Sequence, residues 1–194
     1  MKFLKLDSDT NYIVSGLERS GTSMLMQILH AGGIPIEFDR SRKSDDDNPK
    51  GYYELEGGKI INRLIDKSFR FDSYKGSFIK ITAYGLKFLP IGRYKVIYSE
   101  RNIEEILDSM EEMAGIEDKA RDETKKAFIK LNKTIKELIK KRDDIDVLFV
   151  NYNEILMDPI FESRKILDFL EKSYADIDMM IETVDRKLYR KRRT

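Results

Sequence analysis

One short run, Gly16-Leu17-Glu18-Arg19-Ser20-Gly21-Thr22-Ser23, does most to limit the folds open to this chain. It follows the apolar triplet Tyr12-Ile13-Val14. It precedes Met24, Leu25, Ile28 and Leu29, which recur at helical spacing until Gly32-Gly33 stops them. Strand, glycine loop and helix in that order form an anion cradle. Glycine lets the backbone approach closely, and N–H groups at the helix N-terminus take phosphate oxygens. Ser20, Thr22 and Ser23 add hydroxyls and Arg19 adds a cation. The spacing from Gly16 to Gly21 matches G-x-x-x-x-G-K-[ST], but Thr22 stands at the lysine position. Nucleotide hydrolases use that lysine on the terminal phosphates and a strand-ending Asp for magnesium. Here the later apolar runs end in Thr82, Ser99-Glu100 and Asn151. The loop therefore keeps a phosphate cradle without the metal-dependent hydrolysis set, and no metal is expected. The plainer reading is a glycine-rich turn capping an ordinary helix; the agreement of strand, loop and helix weighs against it.

The rest of the chain alternates in the same way. Runs rich in β-branched and aromatic residues predict strands near 11–15, 34–38, 78–82, 94–99 and 147–151. Pro35 weakens the second, because it cannot donate a ladder bond. Helices are predicted over 22–31, after Asn102 (with Glu105 placed as in a capping box), over 119–142, and from Asp158-Pro159. The pattern predicts an α/β fold: a P-loop-type three-layer sandwich with a central, mostly parallel sheet of about five strands flanked by helices. At 194 residues the chain fits a single domain over 1–194. Residues 40–51 are polar and long for a connection, and are expected to form a mobile loop over the site. Residues 186–194 make a basic tail.

Composition removes several function classes. Lys and Arg number 36 against 35 Asp and Glu, a net charge of +1, which argues against a nucleic-acid partner. Cysteine is absent, excluding disulfide scaffolds and thiol nucleophiles, and the lone histidine, His30, excludes multi-His metal sites. No apolar run reaches the length of a membrane span or signal peptide, so a cytoplasmic protein is expected. Nothing in the sequence sets an oligomeric state.

The segment R-S-G-T-S resembles the 5′-phosphosulfate loop of the sulfotransferases, which use 3′-phosphoadenosine 5′-phosphosulfate (PAPS) as donor. That loop reads roughly P-[RK]-S-G-T-[TS]; Glu18 takes the proline's place here. The family's 3′-phosphate element is an apolar strand, an Arg, and a Ser eight residues on. This chain has Lys95-Val96-Ile97-Tyr98-Ser99-Glu100-Arg101, then Ser109. A guanidinium leaving a strand's C-terminal end can grip a phosphate bidentately. Taken alone, Arg101 reads rather as a surface ion-pair residue and Ser109 as a helix-surface residue; the phosphate loop upstream tips the reading toward a phosphate site. The late strand followed by Tyr152-Asn153-Glu154 resembles the family's Y-E-D-L, and would put Tyr152 near the nucleotide. A subset of short bacterial members is more similar still, matching Met26-Gln27-Ile28-Leu29-His30-Ala31-Gly32-Gly33-Ile34-Pro35 and Asn48-Pro49-Lys50-Gly51-Tyr52-Tyr53-Glu54. Of the K-T-H catalytic segment, Lys80 is kept and the histidine is missing; the late R-K-G segment is missing too.

The resemblance implies PAPS as donor, adenosine 3′,5′-bisphosphate (PAP) as product, and a hydroxyl or amine acceptor on a small molecule, glycan or peptide. Sulfuryl transfer needs alignment, charge stabilisation and a base. Arg19 and the loop amides suit the second task, with Lys80 helping from a neighbouring strand end. For the base, Asp39 and Glu54 are the candidates. Asp39 would end the 34–38 strand, and tyrosylprotein sulfotransferases carry a catalytic glutamate at about that separation from the loop's arginine. His30 lies near the far end of the helix. Two other functions remain open: a nucleotide kinase or NTPase on the same fold, and a phosphonucleotide-binding protein without turnover.

Overall fold

The computed structural model describes residues 4–39, 41–45, 48–172 and 175–185. The chain enters through strand β1 (Asn11–Gly16), turns at the glycine loop into helix α1 (Thr22–Ala31), and crosses residues 32–59 to helix α2 (Ile60–Ile65). Strand β2 (Phe78–Lys80), a 3-10 segment at Ala83–Phe88 and strand β3 (Tyr94–Glu100) follow. Helices α3 (Ile103–Ala114) and α4 (Arg121–Lys140) lead to strand β4 (Ile145–Asn151), then to α5 (Tyr152–Met157), α6 (Pro159–Phe169) and α7 (Ile177–Glu182).

The sheet is parallel throughout, in the order β2-β1-β3-β4. Every residue of β1 is buried, as expected of a parallel strand covered on both faces. The period-2 alternation divides its side chains between two cores. Tyr12 and Val14 pack with Leu25, Ile28, Ile166 and Met180, from α1, α6 and α7. Ile13 packs on the opposite face with Leu64, Leu86, Ile106 and Ile135, from α2, the 3-10 segment, α3 and α4. This is the helix–sheet–helix sandwich that the alternation predicts. β1 lies between β2 and β3, so the crossovers diverge from it. The C-terminal ends of the strands therefore frame a crevice at Gly16, the usual ligand position in such sheets.

The predicted strand at 34–38 does not form, and among the described residues the sheet has four strands. Contact is limited to one bridge between Ile36 and Phe78, in which Pro35 O accepts from Phe78 N at 2.9 Å and Phe78 O from Glu37 N at 2.8 Å. Pro35 brings no donor, and the chain then leaves the sheet edge. The capping box after Asn102 is half formed: Asn102 accepts from Glu104 N, while Glu105 turns to Arg101. Asp158 caps α6 with Pro159 in the first turn, as predicted. The basic tail at 186–194 lies outside the described residues, as do Arg40, Asp46 and Asp47 of the 40–51 loop. Among the described residues, no helix is long and apolar enough to cross a membrane.

Candidate active site

The glycine loop takes a shape that few residues permit. Gly16 has φ 153°, and a Cβ there would come within 2.7 Å of the Ser99 carbonyl. Gly21, the residue before α1, has φ 99°; its Cβ would fall 2.3 Å from the Tyr152 ring. Between them Arg19 adopts φ 63°, a left-handed conformation that a side-chain-bearing residue holds only when its surroundings enforce it. The enforcing contacts come from β3 and its exit. Arg101 Nη1 donates to Arg19 O at 3.0 Å, and Ser99 Oγ donates to Ser20 O at 2.6 Å.

With its backbone held, Arg19 reaches along α3. Its Nε donates to Ser109 Oγ at 2.9 Å, and Nη1 lies 3.6 Å from Met113 Sδ. Arg101 is nearly buried. Its Nε is 3.0 Å from Glu105 Oε2, and its guanidinium sits 4.5 Å above the Tyr152 ring. Burial pushes the Tyr152 hydroxyl pKa above its ordinary value. Two sequence elements about ninety residues apart thus meet in one cleft of about 400 Å³. Gly16, Arg19, Gly21, Thr22, Ser23, Arg101, Ser109 and Tyr152 line it, while Ser20 is buried behind it.

A second group continues the cleft. Lys80, at the end of β2, is only 7% exposed. Its Nζ lies 2.5 Å from Tyr52 O, 3.2 Å from Ser23 Oγ and 2.9 Å from Glu54 Oε1. Burial holds the Lys80 pKa below its ordinary value, against the pull of Glu54. The other carboxylate oxygen of Glu54 meets Arg42 Nη1 at 3.3 Å. The segment that presents Glu54 is strained. Tyr53 and Glu56 both have φ 54°, and Gly57 and Gly58 follow at 60° and 85°. A Cβ on Gly58 would stand 3.0 Å from Glu54 Oε2, so glycine leaves the room that carboxylate occupies.

Asp39 is placed differently. Without a 34–38 strand it does not end one, and it does not line the cleft. Its carboxylate accepts from Ser41 N at 2.8 Å, from Glu56 N and from the Ser41 hydroxyl. Burial pushes its pKa up, but these bonds outweigh it and hold the acid below the usual value. It braces the loop that carries Glu54. His30 packs edge-on against Phe38 at 6.5 Å and is also absent from the lining. Sequence reasoning missed Arg42, Gly58, Ser99 and Glu105. The pair Gly57-Gly58 just before α2 was the visible signal for one of them; the others act through contacts between distant segments.

The sulfotransferase domain family model matches residues 9–191. No curated protein matches the chain by sequence. Among solved structures, the sulfotransferase domain of the Synechococcus PCC 7002 olefin synthase superposes with a TM-score of 0.57 at 16% identity, covering 99% of this chain and 87% of that one. The sulfotransferase domain from the curacin biosynthetic pathway gives 0.53 at 12% identity, covering 95% and 79%. Mouse sulfotransferase SULT7A1, complexed with PAP, gives 0.50 at 17% identity; 93% of this chain aligns with 64% of that one. These identities speak for a shared fold, and the family match over nearly the whole chain goes further: the chain belongs to the sulfotransferase family.

Proposed function

We propose that the chain is a single sulfotransferase domain that transfers a sulfuryl group from PAPS to a hydroxyl or amine acceptor. One observation carries this reading: Arg101 and Ser109, the 3′-phosphate element, bond directly to Arg19 of the phosphosulfate loop. The loop's fit to an anion has its own support. Side chains at Gly16 or Gly21 would collide with their surroundings, the first N–H groups of α1 have no partners within the helix, and Ser20 Oγ is buried with no hydrogen-bond partner among the described residues. The mouse neighbour's complex with PAP agrees with the same ligand class.

Bound PAPS supplies the sulfuryl group and leaves as PAP. The chain's own residues align and neutralise it. Arg101 and Ser109 hold the nucleotide end, the α1 amides and Arg19 offset charge at the phosphosulfate, and Lys80 adds a cation beside Ser23. Glu54, across from Lys80, takes the acceptor proton once its ion pairs with Lys80 and Arg42 are exchanged for ligand contacts. These cations do the work that magnesium does in kinases, so added metal is not required.

Those two ion pairs also favour a second reading, in which the site binds a phosphonucleotide without turnover. Calorimetric titration with PAP and with ATP–magnesium tests the donor: metal-independent PAP binding is expected, and preference for ATP–magnesium overturns it. Transfer of radiolabel from PAPS to acceptors then separates enzyme from binding protein.

A further inference from the structure

Arg101 lines the cleft, but the carboxylate that holds it does not. Glu105, in the first turn of α3, is fully buried and absent from the lining. Its Oε2 accepts from Arg101 Nε at 3.0 Å. The Tyr152 ring lies under the guanidinium face, and Nη1 donates to Arg19 O. The guanidinium thus reaches the cleft from a frame in which its Nε edge, one face and Nη1 are all engaged by protein.

Two local features set Glu105 apart from an ordinary helix-start carboxylate. It stands where a capping box would send its carboxylate back to Asn102 N, yet it turns to Arg101. Its other oxygen, Oε1, accepts from Asn153 Nδ2 at 3.4 Å. Asn153 holds the Glu position of the Y-E-D-L pattern. A carboxylate there would face Glu105 as a like charge, whereas the amide supplies a donor.

An arginine that is free to move loses rotamer freedom when it grips a ligand. One already bonded along its Nε edge loses less, and it presents its fork at a fixed angle, as bidentate recognition of a phosphate requires. Glu105 acts in a second way as well, because its negative charge weakens the pull of Arg101 on an anion. Its reach favours phosphate binding and its charge opposes it, so substitution can separate the two.

We propose that Glu105 is a positioning residue for the donor: through its reach, not its charge, it aims Arg101 at the 3′-phosphate and sets a preference for PAP over nucleotides without that group. This rests on the donor reading above and adds a residue to the same site.

The test uses the whole chain and compares binding of PAP with that of adenosine 5′-phosphate, which lacks only the 3′-phosphate. The wild type is expected to favour PAP by at least about tenfold, the scale of one charge-assisted bond. Glu105→Asp keeps the charge and withdraws it by one methylene. It is expected to lower PAP affinity about three- to tenfold, the cost of immobilising a freed arginine, with adenosine 5′-phosphate affinity unchanged. Glu105→Gln keeps the reach and an acceptor for Nε, and the Asn153 amide can turn over to accept from the new NH2. It is expected to hold PAP affinity at or above that of the wild type. A carboxylate that only neutralises a buried guanidinium gives the reverse order, with Glu105→Gln the weaker binder. That order overturns the inference, as does an equal loss of both nucleotides or an unchanged PAP affinity in Glu105→Asp. Thermal melts accompany each variant; if Glu105→Asp does not fold, a reduced PAP preference in Glu105→Gln overturns the inference and a retained one supports it. Wild-type binding of PAP no tighter than of adenosine 5′-phosphate overturns the inference while nucleotide binding stands. Absence of PAP binding overturns the donor reading, and this inference with it.

Discussion

Arg19 Nε donates to Ser109 Oγ at 2.9 Å, tying the glycine loop after β1 to the middle of α3. The bond orients the guanidinium along the cleft while its own main chain is held in a left-handed turn. Replacing Arg19 by Ala removes a cation from the surface of the site without emptying the core. PAP affinity should fall about ten- to a hundredfold, the loss of a charge-assisted bond, with little change in the unfolding midpoint. Titration calorimetry beside thermal melts checks both halves; unchanged affinity removes Arg19 from the donor site.

Arg101→Ala should behave differently. Its partner Glu105 is fully buried, so the variant leaves a carboxylate in the interior without the cation that faces it. Breaking such a pair typically costs about 3–5 kcal/mol. Both PAP affinity and stability should drop, whereas Arg101→Ala with Glu105→Leu should regain stability and still bind PAP poorly. Urea denaturation of the single and double variants reads the difference.

The two carboxylates proposed as base are separable by conservative change. Glu54→Gln should slow transfer by about 10²-fold, the usual scale for loss of a general base. Asp39→Asn should slow it far less, since Asp39 braces Ser41 and Glu56 outside the cleft. Initial rates with PAPS and an acceptor that takes label from it decide; an equal loss in both variants removes the distinction.

Gly58→Ala tests the room behind Glu54. The residue has φ 85°, and the added methyl would press on Glu54 Oε2 at 3.0 Å. The left-handed backbone alone disfavours alanine by about 1–2 kcal/mol. Turnover should fall while PAP affinity, set by the Arg19–Arg101 side, holds. Loss of PAP binding in a folded variant would mean the two halves of the cleft are not independent.

At the opposite end of the sheet, Arg142 bonds both oxygens of Asp144 and holds its pKa at about 2, below the ordinary 3.8. A carboxylate whose pKa is lowered in the folded state stabilises it above the unfolded pKa, and that stability is lost as pH falls through the folded value. The advantage of the wild type over Asp144→Asn should therefore be full near about pH 5 and vanish toward about pH 2. Urea midpoints of both proteins across that range measure it; a constant difference contradicts the assignment.

The features legible in the sequence were those that a short stretch of chain decides for itself. The glycine loop, the apolar run of β1, the stripe of α1 and the Asp158-Pro159 start of α6 depend on neighbours a few residues away, so spacing and residue type suffice. The eight-residue step from Arg101 to Ser109 was readable because it spans only the exit of β3 and the first turns of α3. Residues 34–38 had suitable strand composition, yet pairing depends on donors meeting acceptors on another segment, and Pro35 supplied none. Nor was the preference for Glu54 over Asp39 in the cleft readable: both sit in polar loop sequence, where no periodicity sets a side chain's direction. Tertiary structure decided it, because Lys80, buried at the end of β2, binds Tyr52 O and Glu54 together, while Ser41 and Glu56 draw Asp39 away. A buried ammonium must find partners wherever the fold brings them, and its choice is made among residues that are distant in the chain.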